Sequence, residues 1–303
     1  MQAVRWRRPG IVVALVAATA CALVTPITWA GAASSPVSAT AGRYLRVGTA
    51  LRASPARPGG PAVVRILKVA AAGAAPLVPD AAGGSKRGLP APRLSAAMLL
   101  AGQIRQAQAR AYLARAHPPE ARDLAATQRA QIRNYFCGPA AVTEMLAQLN
   151  VVLHQQAAAR DLGTDRSGTD WSNAHGYPVP RVLNAHQTRN RYVAVTLPWS
   201  PTAAQIGVFK MDLVRDISRG SGVPLAGNGY EVPGGPHLVG HPAGQAIMHW
   251  FDIRGYSHSG AVTDYEDSVH GASSIGWSAG VPAYSSLSTA TMVYILGARG
   301  YVW

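Results

Sequence analysis

From about residue 33 to residue 94 the chain lacks the material of a hydrophobic core. Stretches such as SPVSATAG, ASPARPGGPA and APLVPDAAGGSKRGLPAP are built from Ala, Pro, Gly and Ser, and only VVRILKVA interrupts them. With almost no aromatic side chains, such a segment cannot bury enough apolar surface to offset the entropy of ordering it. It reads as a flexible linker or pro-segment, here placed at 33–125 with one helix near its end. Any sizeable core must come from elsewhere. Near Gln131 the texture changes, and aromatics, Asp and turn glycines return. The folded domain is therefore expected over about 126–303, an ordinary length for a single core.

Charge follows the same division. Of 28 Lys and Arg, 18 precede Cys137, against only 3 of the 14 Asp and Glu. The basic excess thus belongs to the N-terminal arm, while the rest of the chain is near neutral. The simplest reading is a solvated arm; an anionic cell envelope is the partner it would meet, and no nucleic acid is expected.

Arg5, Arg7 and Arg8 precede the uncharged run IVVALVAATACALVTPITWAGA, which ends in the small residues Ala30-Gly31-Ala32. This reads as a secretory signal over 1–32 and implies an extracellular protein; the alternative is an uncleaved membrane anchor. If the signal is removed, Cys21 leaves with it. Cys137 is then the only cysteine, and an intrachain disulfide is excluded. A lone thiol in an oxidising compartment is a liability, and a catalytic role is one reason to keep it.

Residues 95–116 carry a helical pattern, with Met98, Leu99, Ile104, Tyr112 and Leu113 apolar, and Pro118-Pro119 ends it. It reads as a spacer or propeptide helix. In NYFCGPAAVTEML, Pro139 suits a first helical turn, and Val142, Met145, Leu146 and Leu149 form one apolar stripe. Cys137 is therefore expected at the N-terminus of a core-packed helix. Unpaired backbone N–H groups and the helix dipole favour the thiolate there. Gly138 would leave room beside the sulfur for a substrate carbonyl. Three further residues suggest hydrolytic chemistry. Gln131, six positions upstream, is a candidate oxyanion donor with the Cys137 N–H. His249, in a strand read over 246–256, is a candidate base. Asp267, on the partner strand of a hairpin turning at Gly255–Gly260, is placed to orient His249. Singly, each is more often structural; the signal lies in their order.

Gln-x5-Cys-Gly-Pro-Ala, then His-Trp-Phe-x-Ile-x-Gly-Tyr, then Tyr-x-Asp-Ser resembles the papain-like peptidases of cysteine family 39, the double-glycine leader peptidases and their stand-alone secreted relatives. GTDWSN, YPVPRVLN and the terminal GYVW resemble secreted actinobacterial members. The resemblance covers about 126–303. It implies an α+β, papain-like fold with a catalytic helix packed on an antiparallel sheet. It implies Cys137 as nucleophile, His249 as base, Asp267 as orienting acid and Gln131 at the oxyanion. The implied protein is a secreted, monomeric cysteine peptidase acting on a peptide or protein substrate, with no cofactor. Transporter segments of leader peptidases are missing from the sequence, which favours a free-standing hydrolase. The 112-residue interval between Cys137 and His249 contains loop-like stretches, and Asp170, Trp171 and Asn173 are read there as substrate contacts, against a capped turn with a packed indole.

Two other readings compete. One is a cell-wall amidase or endopeptidase with the same Cys-His-Asp order; the other is a non-catalytic envelope-binding protein on the same fold. HLVGH places His237 and His241 at a zinc-like spacing, with His249 or Asp252 as further ligands. The surrounding glycines and prolines make a helix there implausible, and no metal is expected. The chain has no phosphate-binding loop, dinucleotide fingerprint or serine-hydrolase elbow.

Overall fold

The computed structural model describes residues 94–303. The expected signal 1–32 and the linker up to residue 93 lie outside them. No helix among the described residues is long and apolar enough to cross a membrane.

The first element, α1 (Ala96–Leu113), begins at Ser95, whose hydroxyl accepts the Met98 N–H at 3.2 Å. It ends before residue 116, because Arg115 and Ala116 both donate to the Tyr112 carbonyl and tighten the last turn. A spacer would expose its polar side chains, but Arg105 is buried. Its guanidinium meets Asp216 at 2.9 Å and Asn190 at 2.7 Å, and lies 4.3 Å over the Trp303 ring. Upstream of residue 126, α1 and β1 (Arg122–Asp123) therefore already belong to the packed body.

α2 (Cys137–Gln148) carries the sulfur at its first residue, with Pro139 inside the first turn. Its expected stripe is buried: Val142, Met145, Leu146 and Leu149 all face the core. α3 (Gln155–Leu162) and α4 (Pro178–His186) pack beside it. β2 (Ala194–Thr196) leads into α5 (Ala203–Ser218), which opens with a reciprocal Thr202–Gln205 capping box. β3 (Leu225–Glu231), β4 (Ile247–Ser257), β5 (Val262–Glu266), β6 (Tyr284–Ser288), α6 (Thr289–Leu296) and β7 (Gly300–Val302) complete the chain.

The strands form one sheet in the order β2-β7-β3-β4-β5-β6, with β1 paired to β4, and every pairing is antiparallel. β4 is the longest strand and sits at the centre. Its alternation feeds two cores. Trp250 joins α2, α3 and α4, while Phe251 and Ile253 join α5 and α6. The hairpin is displaced slightly from its expected position. β4 runs on to Ser257, and a 3-10 turn at His258–Gly260 reverses the chain into β5. The α+β architecture, with a helix on an antiparallel sheet, is the one the resemblance implied.

Candidate active site

The apolar stripe of α2 is driven onto the sheet, so the start of the helix is fixed against β4. That puts Cys137, 9 % exposed, against the His249 ring, which is 4 % exposed. Burial pushes the thiol pKa up, but the hydrogen bond and charge of His249 outweigh it. N–H groups of Trp250 and Gly138 add to the effect, and the net shift is downward. The neighbouring imidazole thus contributes more than the Gly138 amide of the helix start.

His249 directs Nε2 at Asp267 Oδ1, 3.0 Å away, which leaves Nδ1 for the sulfur. Burial disfavours the imidazolium, yet Asp267 and Cys137 together raise the His249 pKa well above its ordinary value. Asp267 follows β5 directly, where the strand ends. Its Oδ1 also accepts the Val269 N–H at 2.9 Å, an Asx-type turn that aims the carboxylate back at β4. Burial would raise Asp267, but His249 and then His241 hold it well below the usual carboxylate range.

Gln131 is brought to the same place by pairing with the segment after β5. Its N–H donates to the Ser268 carbonyl at 2.8 Å, its Oε1 accepts from the Ser268 hydroxyl at 3.1 Å, and its Nε2 donates to the Arg133 carbonyl at 2.8 Å. One amide hydrogen of Nε2 is thus committed to the loop, and a primary amide has a second.

The loop contacts differ from expectation. The space beside Gly138 is filled. A Cβ there would lie 2.2 Å from Thr169 Oγ1, so the glycine admits a loop of this chain rather than a substrate carbonyl. Trp250 Nε1 donates to the Thr169 carbonyl at 3.0 Å and Thr164 bonds the Thr169 hydroxyl at 2.6 Å, which fixes that loop. Trp171 is buried and stacks on Trp250 at 5.6 Å, so its indole is core packing. Asn173 caps a turn, accepting the His175 N–H at 2.9 Å. Asp170 is exposed and shares a field with Arg299.

Behind Asp267 lies a pair that motif reading connected differently. His241 Nε2 is 3.0 Å from Asp267 Oδ2, an ion-pair contact off the line of a well-aligned hydrogen bond. His241 Nδ1 is 2.9 Å from Glu231 Oε1. His237 instead bonds the carbonyls of Gly235 and Gln245, and Asp252 lies with Glu266 and Gln148, so the proposed zinc set does not assemble. Among the described residues, His241, His249 and Asp267 do offer three potential ligand atoms within 4.8 Å of one another. Their 3.0 Å nitrogen–oxygen contacts are those of ion pairs, shorter than the roughly 3.3 Å between two ligands of a tetrahedral zinc.

Together the site holds a thiol, an imidazole and a carboxylate in series at a buried helix start, with Gln131 bonded to Ser268, the residue after the carboxylate. That set can generate a thiolate and carry a proton to a leaving group. The family model described as Peptidase_C39 like family matches residues 124–283, more than half of the chain. No curated protein matches the sequence.

Proposed function

The chain belongs to the Peptidase_C39 like family, and from that premise we propose that it is a cysteine peptidase working through Cys137, His249 and Asp267. The observation that carries the reading is the His249 ring held between the Cys137 thiol and the Asp267 carboxylate. His249 takes the thiol proton. The sulfur then attacks the peptide carbonyl carbon, and the carbonyl electron pair moves onto oxygen. The Cys137 backbone N–H and the second amide hydrogen of Gln131 receive that oxyanion. Collapse expels the amine, which takes the proton from His249, and leaves a thioester on Cys137. His249 next deprotonates a water that attacks the thioester, and the acid product leaves as the thiolate returns. Asp267 keeps Nε2 protonated throughout, so Nδ1 is always the nitrogen that exchanges the proton.

Asp170 is the exposed member of the residues proposed for substrate contact. Export through residues 1–32, envelope association through the basic arm and a monomeric state belong to the same proposal and rest on the sequence.

The test is incubation of the full chain with a complex peptide mixture, followed by mass spectrometry of new N-termini. Termini that depend on time and disappear in Cys137→Ala support the proposal. Equal cleavage by Cys137→Ala, or none by either, overturns it.

A further inference from the structure

The proposed reaction uses one oxygen of Asp267, but an imidazole stands against each. Oδ1 faces His249 and Oδ2 faces His241, each at 3.0 Å. His241 is buried, and its other nitrogen lies 2.9 Å and 3.0 Å from the two oxygens of Glu231, which is also buried. The His241 ring is held edge-on to His249 at 5.4 Å and to Trp277 at 4.8 Å. A neutral imidazole carries a lone pair on one nitrogen, which a carboxylate oxygen about 3 Å away repels, so a carboxylate beside each nitrogen favours the imidazolium whatever the alignment of the Nε2 contact. The two nitrogens therefore point to a charged His241 with Glu231 as its counter-ion, a carboxylate that His237 also approaches at 3.9 Å.

We propose that His241, charged and anchored by Glu231, is a positioning residue that fixes the Asp267 carboxylate and shares its charge with His249. Building on the peptidase reading, this assigns a task to two residues outside the triad. A lone buried aspartate would hold the proton on His249 very tightly and make it a poor acid for the leaving amine. A second imidazolium on the same carboxylate weakens that hold. The groups bearing on His249 are Cys137 and Glu144 from α2, Asp267 after β5 and His241 from the β3–β4 loop. Those bearing on His241 are Glu231 at the end of β3, Asp267 and His249, while His237 on the same loop lies 3.9 Å from the Glu231 carboxylate. Tyr265 on β5 senses both Glu231 and Asp267. Burial lowers the His241 pKa, but Asp267 and Glu231 raise it more, so the net shift is upward, in line with the geometry.

The test reads the pH profile of Cys137 alkylation by iodoacetate, whose negative charge makes it sensitive to the imidazolium beside the thiolate. Wild type is expected to give a bell. In His241→Gln, removal of a positive charge about 5 Å from His249 is expected to move the basic limb upward by roughly one unit. Glu231→Gln should move it the same way, because His241 then loses its counter-ion. An unmoved basic limb in a folded His241→Gln overturns the inference while the peptidase reading stands. A wild type that alkylates like a free thiol, without a bell, overturns both. Ring-nitrogen NMR of the wild type needs no variant. Two protonated nitrogens on His241 at about pH 7.5 are expected, and a neutral tautomer there refutes the proposal.

Discussion

Gly138→Ala separates two accounts of the residue next to the nucleophile. If the glycine leaves an opening for substrate, a methyl group should impair turnover and leave the fold intact. The packing says otherwise. The added Cβ would sit 2.2 Å from Thr169 Oγ1 and 2.6 Å from Thr169 Cβ. The second atom is not the end of a flexible side chain, so the loop itself must move. That loop is tied to β4 by the 3.0 Å bond from Trp250 Nε1 and internally by the 2.6 Å Thr164–Thr169 contact. Forcing a methyl group into a packed site costs about 1–3 kcal/mol. Alanine in a helix recovers up to about 1 kcal/mol relative to glycine. The balance is a loss of about 1–2 kcal/mol, or a fall in Tm of about 3–6 °C for a domain of this size. Circular dichroism melts of wild type, Gly138→Ala and the double variant with Thr169→Gly would measure it. The double variant removes the clashing Cβ, so Gly138→Ala should cost less on the Thr169→Gly background than on wild type, a measurable coupling between the two sites. An unchanged Tm in Gly138→Ala, or no coupling in the double variant, would refute the packing argument.

Two more outcomes follow from other buried charges. Burial, then Glu266 and Glu144, raise the Asp252 pKa well above its ordinary value. A carboxyl protonated in the fold contributes stability below the ordinary carboxylate pKa, and loses it as pH rises through the folded value. Asp252→Asn should thus gain on wild type by about 1 kcal/mol or more between about pH 5 and pH 8, read from urea melts at each pH; a gap that narrows over that range contradicts the sign. Arg105→Ala leaves buried Asp216 with Arg215 as its remaining ion-pair partner and removes the nearer of two guanidinium groups over Trp303. It should cost about 2–4 kcal/mol and expose the α1–β1 connection to limited proteolysis; an unchanged cleavage pattern would mean that α1 docks by other contacts.

What the sequence made legible was what short-range chemistry controls. The α2 stripe and Pro139 located the helix start, and the hairpin turn set Asp267 near His249, because strand pairing and helical periodicity are local rules. The partners of Gly138 and Trp171 come from chain about 30 or 80 residues away, and no periodicity announces them. His241 was visible as one half of a histidine pair, but the pair was the wrong unit. Its partners are Glu231, ten residues back at the end of β3, and Asp267 on the far side of the hairpin, a contact that exists only once β3, β4 and β5 have paired. Nothing in the helical pattern of residues 95–116 singles out Arg105, because Asp216, Asn190 and Trp303, which enclose it, lie far along the chain.

The central claim is that His249 makes Cys137 a thiolate in the resting protein. The rate of Cys137 alkylation by iodoacetamide at about pH 6, well below the ordinary thiol pKa, tests it directly, in wild type and in His249→Ala. Labelling should be fast in wild type and drop at least tenfold in His249→Ala at the same pH. Slow labelling in both, climbing only as pH approaches that of a free thiol, would contradict the account.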